Sequence, residues 1–161
     1  MVDIVVVSDT HGNTSFIDKL TRKHNKAYMF LHAGDSGVSR EELFPFESVK
    51  GNCDYLINNP IKLINIMGIN ILMFHGDKFM LDEDMLIHYA NNYNAQILIH
   101  GHTHIPYYKY TNGVHIVCPG SIYYPRVTKP TYCVIHINRD NKYQDLDNIN
   151  EDINIEFLEY K

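Results

Sequence analysis

Long apolar runs are missing from this chain of 161 residues. The longest, such as 4–7 and 27–31, fall far short of the roughly 20 residues that a membrane-spanning helix requires, so such a helix is excluded. Cysteine is scarce. Cys53, Cys118 and Cys133 form no CxxC pair and are odd in number, which reads as reduced intracellular thiols and excludes a disulfide framework. Positive charge is not in excess either: 14 Lys and Arg against 19 Asp and Glu leave a formal charge of -5. Tight binding to nucleic acid draws on many Lys and Arg contacts to phosphate, so nucleic acid is not an expected partner. A small phosphate-bearing ligand is not excluded by that balance. The opening Met1-Val2-Asp3 lacks the basic and apolar stretches of an export signal, so the expected location is the cytoplasm. No internal repeat or low-complexity linker interrupts the chain, and the expectation is a single domain over 1–161.

What the chain does have is histidine, ten in all, the side chain that most often binds metal ions. Their placement follows from the pattern of elements. Residues 2–7 are β-branched and almost continuously apolar, as in a strand buried on both faces, and they stop at Ser8-Asp9-Thr10-His11-Gly12-Asn13. A helix capped by Thr14 is predicted to run to about His24, followed by a buried strand over 27–33 that ends at Gly34-Asp35. This β-α-β opening favours a parallel pair with a right-handed crossover. A third strand over 47–50 ends at Gly51-Asn52-Cys53-Asp54, and a hairpin over 61–67 and 70–74 about Gly68 runs into His75-Gly76-Asp77. Asp82 is expected to cap a helix reaching Tyr93, and a strand over 96–99 ends at His100-Gly101-His102-Thr103-His104. The rest reads as strands: 107–111 and 114–118 about Asn112-Gly113, then 131–137 and 153–160. The expected class is α/β with mixed sheets and helices on the outer faces.

Five predicted strands thus end in loops that carry Asp, Asn or His beside Gly. In α/β sheets, ligands bind at the carboxyl ends of strands. Asp9, His11, Asp35, Asn52, His75, His102 and His104 are the candidate ligands, and imidazole, carboxylate and amide together suit manganese, iron, zinc or nickel better than calcium or magnesium. Seven ligands are too many for one catalytic ion with an open position. They suffice for two if one carboxylate bridges.

Taken in order, Asp9-x-His11, Gly34-Asp35, Gly51-Asn52-Cys53-Asp54, His75-Gly76 and Gly101-His102-Thr103-His104 resemble the signature of the calcineurin-like metallophosphoesterases. The compact length is similar to the small bacterial and archaeal phosphodiesterase branch, and the resemblance covers roughly residues 2–137. It implies a four-layer α/β/β/α sandwich of two mixed β-sheets with a dinuclear metal centre at one edge. It places one ion on Asp9, His11, Asp35 and His104 and the other on Asp35, Asn52, His75 and His102, with Asp35 bridging. The implied cofactors are two divalent cations, manganese expected, with nickel, zinc or iron as alternatives. The implied reaction is hydrolysis of a small phosphodiester by a metal-bridging hydroxide, with Asp35, Asn52, His75 and Cys53 as the candidate catalytic residues.

Cys53 departs from the pattern. Many relatives carry His there to help protonate the leaving group, and a thiol with an ordinary pKa near 8.5 is a poor substitute. Diesters with good leaving groups are therefore expected to be better substrates than monoesters with poor ones. Cys118-Pro119-Gly120-Ser121 followed by Pro125-Arg126 resembles a loop of the same branch, and Arg126, like Asn52, is a candidate for touching the phosphate; a plain turn with a solvated arginine is the competing reading.

Each candidate taken singly has an ordinary explanation as a turn residue or a satisfied core histidine. The ordered set does not. His24, His32, His88, His100, His115 and His136 lie inside predicted elements and are read as structural, with His32 and His100 available as supports for the ligands. Asp82-Glu83-Asp84 reads as a helix N-terminus, and the stretch 145–152 as a solvated loop without a calcium-binding pattern. Two other functions compete with the hydrolase: a scaffold resembling the small retromer subunit, and a nuclease acting on short nucleic acid. Self-association into a homo-oligomer is compatible with the β-rich final quarter.

Overall fold

The computed structural model describes residues 1–139 and 149–161. Its elements, in chain order, are β1 (Val2–Val7), α1 (Phe16–Lys23), β2 (Met29–His32), α2 (Arg40–Leu43), β3 (Phe46–Ser48), β4 (Ile61–Ile66), β5 (Ile69–Phe74), α3 (Glu83–Asn92), β6 (Ile97–Ile99), β7 (Pro106–Thr111), β8 (Val114–Pro119), β9 (Thr131–Ile137) and β10 (Ile153–Glu159). They form two five-stranded sheets, ordered β10-β9-β1-β2-β3 and β4-β5-β6-β8-β7. The inner strands are parallel: β1 with β2, β2 with β3, β5 with β6 and β6 with β8. The flanking strands β9, β4 and β7 run antiparallel to their neighbours. Both sheets are therefore mixed.

Side-chain alternation sorts these sheets into layers. Ile4 and Val6 of β1 point to one face, where with Leu31 and Ala33 they meet Ile71, Met73, Ile97, Ile99 and Val117 of the second sheet. Val5 and Val7 point the other way, under Phe16 and Leu20 of α1. On the far side, Leu72, Phe74, Leu98 and Ile116 lie under Leu86, Ile87 and Ala90 of α3. The order is helix, sheet, sheet, helix, the four-layer α/β/β/α sandwich. Each such large side chain taken fully from water contributes about 1.5–3 kcal/mol, so the inter-sheet layer makes the largest contribution of the three core layers. Among the described residues, no helix is long and apolar enough to cross a membrane.

Turn chemistry fixes both hairpins. Met67 and Gly68 have φ of 53° and 82°, and Asn112 and Gly113 have 49° and 76°, the pair of positive values that a two-residue type I′ turn demands. Four expectations shift. Thr14 does not cap the first helix: Asn13 Oδ1 accepts from the Ser15 N–H (3.0 Å) and hydroxyl (2.7 Å), so an Asx turn delays the helix to Phe16. The polar segment before the third strand contains α2, whose N-cap Ser39 Oγ accepts from Glu42 N (3.2 Å) and donates to Glu42 Oε1 (3.1 Å). The third strand covers Phe46–Ser48, two residues earlier than its apolar pattern suggests at its end, because Val49 and Lys50 already turn into the loop. The second strand is shorter than 27–33, because Ala27 closes the preceding turn on His24 (2.9 Å). Asp82 does cap α3, accepting from Met85 N (3.4 Å). Of the loop read at 145–152, residues 145–148 lie outside the described residues.

Candidate metal centre

The ends of β1, β2, β3, β5 and β6 bring their loops to one edge, where backbone bonds tie them together: Asp9 N to Gly34 O (3.0 Å), His11 N to Asp35 O (3.0 Å) and Gly101 N to His75 O (2.9 Å). The turns are so sharp that side-chain-bearing residues enter the left-handed region. Asp9, His11, Asp35, His102 and His104 have φ between 44° and 72°, five of the nine such non-glycine residues among those described. A conformation of this kind costs on the order of 1–3 kcal/mol per residue and concentrates at functional sites. Close packing also dictates glycine at two places. A Cβ at Gly51 would fall 2.1 Å from Asp35 Oδ1, and one at Gly101 would fall 2.1 Å from Ser8 Oγ and 2.9 Å from Asp9 Oδ2.

Two buried carboxylates stand at the centre, ringed by imidazoles. His104 Nε2, His75 Nε2 and His11 Nε2 lie 3.2, 3.8 and 4.0 Å from Asp9 Oδ1. His75 Nε2 and His11 Nε2 lie 3.2 and 3.9 Å from Asp35 Oδ2. The two rings of His11 and His104 approach to 3.4 Å at their Nε2 atoms, and Asn52 Oδ1 is 3.1 Å from His75 Nε2. Ligand atoms of Asp9, His11 and His104, and those of Asp9, Asp35 and His75, lie within 4.8 Å of one another.

The hydrogen-bond bookkeeping of this cluster does not close without a cation. His75 Nδ1–H donates to the Ala33 carbonyl (2.8 Å) and His104 Nδ1–H to the Tyr124 carbonyl (2.7 Å), which leaves each Nε2 with a lone pair when the ring is neutral. Those lone pairs point at carboxylate oxygens, acceptor against acceptor. Asp9 Oδ1 is buried and has no hydrogen-bond partner, although three imidazole nitrogens surround it. A buried acceptor of this kind is costly. Either protons or metal ions must lie between these groups, and the donor set of nitrogen and oxygen fits a divalent transition metal.

Electrostatics point the same way. Burial works to raise the pKa of Asp9, but His104, His75 and the Ser8 hydroxyl outweigh it and hold the carboxyl below its usual range. Burial likewise opposes ionisation of Asp35, yet His75, the Cys53 N–H and His11 hold it down to about 2. His75 is raised despite its burial, by Asp35 and Asp9, and His104 is raised by Asp9 against its burial. Both carboxylates are thus ionised and aimed at positive charge.

A layer of supports fixes the loops. His32, fully buried, has its pKa lowered by burial to about 4 and is neutral; Gly34 N–H donates to its Nδ1 (3.1 Å), and its Nε2 meets Thr10 Oγ1 at 2.9 Å. Asp54 accepts three backbone N–H groups, from Asp35 (2.9 Å), Gly37 (2.8 Å) and Gly51 (2.7 Å), and so joins the loops after β2 and β3. Ser121 Oγ donates to the Asp9 carbonyl (2.8 Å) and accepts from Tyr124 N (3.0 Å). Asp54 and Ser121 stand in motifs the sequence offers, but their work as loop ties, and the part of Tyr124, are not legible there, since serine, tyrosine and aspartate after a strand are common turn residues.

The remaining candidates stand at the rim. His102 is exposed; its backbone N–H donates to Asp9 Oδ2 (3.1 Å), and its ring meets that of His75 edge-on at 5.1 Å. It joins none of the close ligand groups formed among the described residues. Cys53 is exposed, 4.8 Å or less from ligand atoms of His11 and Asp35, and its N–H donates to Asp35 Oδ1 (2.8 Å). Arg126 is exposed, with its N–H on the His104 carbonyl (3.2 Å) and its charge near enough to His104 to work against that ring's protonation. Cys118 and Cys133 are buried, as expected.

A calcineurin-like phosphoesterase superfamily domain is matched over residues 2–140, and the chain belongs to that superfamily. Its members are metal-dependent, and divalent ions are the cofactors the family implies here. A probable metallophosphoesterase of Mycoplasma genitalium is 31% identical over 149 residues, 87% of this chain and 90% of that one. Among solved structures, a predicted phosphoesterase of Streptococcus pneumoniae superposes with a TM-score of 0.77 at 25% identity, covering 83% of this chain and 82% of that one. Vps29 of Entamoeba histolytica, solved in complex with zinc, shares the fold with a TM-score of 0.70 at 21% identity over 98% of this chain and 99% of its own.

Proposed function

We propose that the chain hydrolyses phosphodiester bonds with two divalent cations, manganese foremost and nickel, zinc or iron as alternatives. Asp9, His11, Asp35 and His104 hold one cation, and Asp35, Asn52, His75 and His102 hold the other. The single observation that carries this reading is the set of imidazole Nε2 lone pairs directed at two ionised carboxylates, with Asp9 Oδ1 left without a hydrogen bond. When bound, such cations neutralise charge on phosphoryl oxygens and generate a nucleophile from water near neutral pH.

The chain's own residues do the rest. The Ala33 and Tyr124 carbonyls keep the Nδ1 protons of His75 and His104 in place, so that both rings present Nε2 to the site. Asn52 brings an oxygen without a charge, which leaves the centre net positive towards a phosphate. Arg126 is free of ion pairs among the described residues and is suited to grip a phosphoryl oxygen. Cys53 supplies no good acid, because an ordinary thiol holds its proton to a pKa near 8.5. Substrates whose leaving group needs no proton are therefore favoured, which supports small diesters over monoesters.

The test is turnover of bis(4-nitrophenyl) phosphate and 4-nitrophenyl phosphate by metal-stripped protein, with manganese, nickel, zinc or magnesium added back. Diester hydrolysis that depends on metal and falls by roughly 10²–10³-fold in Asp35→Asn is the expected result. A folded protein inert with every metal would overturn the reading in favour of a scaffold.

A further inference from the structure

Beside the metal centre lies a cavity of about 300 Å³ that contains none of the proposed ligands in its wall. Gly76 shows how near it is. A Cβ there would fall 3.2 Å from Leu81, in the cavity wall, and 3.6 Å from His102 Cβ. The loop after β6 serves both places, giving His102 and His104 to the centre and His100 and Ile105 to the cavity. Its size is at the lower end for small-molecule sites, enough for one planar group.

The lining selects the group. Leu81, Leu86, Ile105 and Tyr107 make the wall largely carbon. Glu83 also borders it, but its carboxylate is already engaged by Lys109 Nζ (2.5 Å) and Thr111 Oγ1 (3.3 Å). His100 differs. The residue is only 4% exposed, its Nδ1–H donates to the Gly101 carbonyl (2.9 Å), and its Nε2 has no partner among the described residues. The described residues leave this ring nitrogen without a donor, so an N–H on a bound group would take the place of the water that can reach it from the cavity.

We infer that this cavity receives a planar heteroaromatic group carrying an N–H, the alcohol-side portion of the diester whose phosphorus lies at the metal centre. The ring packs on the leucine, isoleucine and tyrosine walls, and its N–H donates to His100 Nε2. The assignment to a substrate rests on the phosphoesterase reading; the cavity's preference for such a ring does not.

Indole and 1-methylindole, equal in shape but differing in the donor, separate the two. In an NMR titration of the metal-loaded protein, indole is expected to shift the methyl signals of Leu81, Leu86 and Ile105 saturably. The methylated probe should bind about tenfold more weakly, the value of one good hydrogen bond. Ile105→Arg, at a partly exposed position, should abolish binding of both. Indole should raise KM for bis(4-nitrophenyl) phosphate and leave kcat unchanged. Diester turnover without saturable indole shifts, or equal binding of the two probes, overturns the cavity inference alone. Indole binding without turnover on any metal overturns the phosphoesterase reading and the cavity's assignment to substrate with it.

Discussion

Cys53 and Asp54 are neighbours with opposite consequences. The Cys53 thiol is exposed, and as an ordinary thiol it is a poor general acid. Cys53→Ala is expected to keep kcat/KM for a diester with a good leaving group within about threefold of the parent, where loss of a general acid would cost roughly 10²-fold or more. Asp54 touches no proposed ion, yet both its oxygens are filled by three N–H groups from two loops. Asp54→Asn turns one acceptor into a donor that faces donors. Urea unfolding should show a loss of about 2–3 kcal/mol, and the metal concentration needed for half-maximal activity should rise.

At the scale of elements, His136 on β9 links three strands. Its Nδ1 meets Asp3 Oδ1 of β1 at 2.8 Å and its Nε2 meets Glu156 Oε2 of β10 at 2.9 Å. Burial works to lower its pKa, but the two carboxylates raise it above 6.5. A folded-state value above the unfolded one means the stabilisation is full below pH 6.5 and fades as pH rises through the raised value. His136→Gln should therefore unfold at a clearly lower urea concentration than the parent at pH 5.5, with the gap closing by pH 9. Because Glu156 is about half exposed, added salt should narrow the gap at the lower pH.

The same elements show what a sequence can carry. Strands β1 and β5, the I′ turns and the α3 cap are encoded by neighbours in the chain, and all are legible there. The residues proposed as ligands stand out in the chain too, because each loop keeps its Asp, Asn or His beside a glycine in fixed order. The left-handed backbone of Asp9, Asp35 and His104 is not, since it is imposed by loops from other strands. The pairing of β1 with β9 and the work of His32, Asp54 and Ser121 arise only from contacts between distant segments. The cavity at His100 belongs with these: α3, the loops before it and after β6, and a strand edge make it, and none announces it alone.

For the whole molecule, the centre draws Asp9, His11, Asp35 and Asn52 from loops of one sheet and His75, His102 and His104 from loops of the other. Ions held there would cross-link the layers. Removing them with a chelator should lower the unfolding temperature, and manganese at about 100 times its Kd should restore roughly 2.7 kcal/mol. Acid should act separately. His32 is neutral and buried with a pKa of about 4 against 6.5 when unfolded, so the unfolded chain binds the extra proton first and stability falls as pH drops below 6.5, by up to roughly 3 kcal/mol near pH 4. Calorimetry on the metal-free protein between pH 7 and 4 checks this, with His32→Gln expected to flatten the slope.

The register of the first sheet also governs how the protein can be made. β1 pairs on one side with β2, about 25 residues on, and on the other with β9, where Val2 lies opposite Ile137. A ribosome delivers β1 long before β9 exists. The central strand therefore waits with one edge open through most of translation, a β-branched ribbon able to pair with any other nascent chain. The interval between the two strands is when that edge is most open to mispairing.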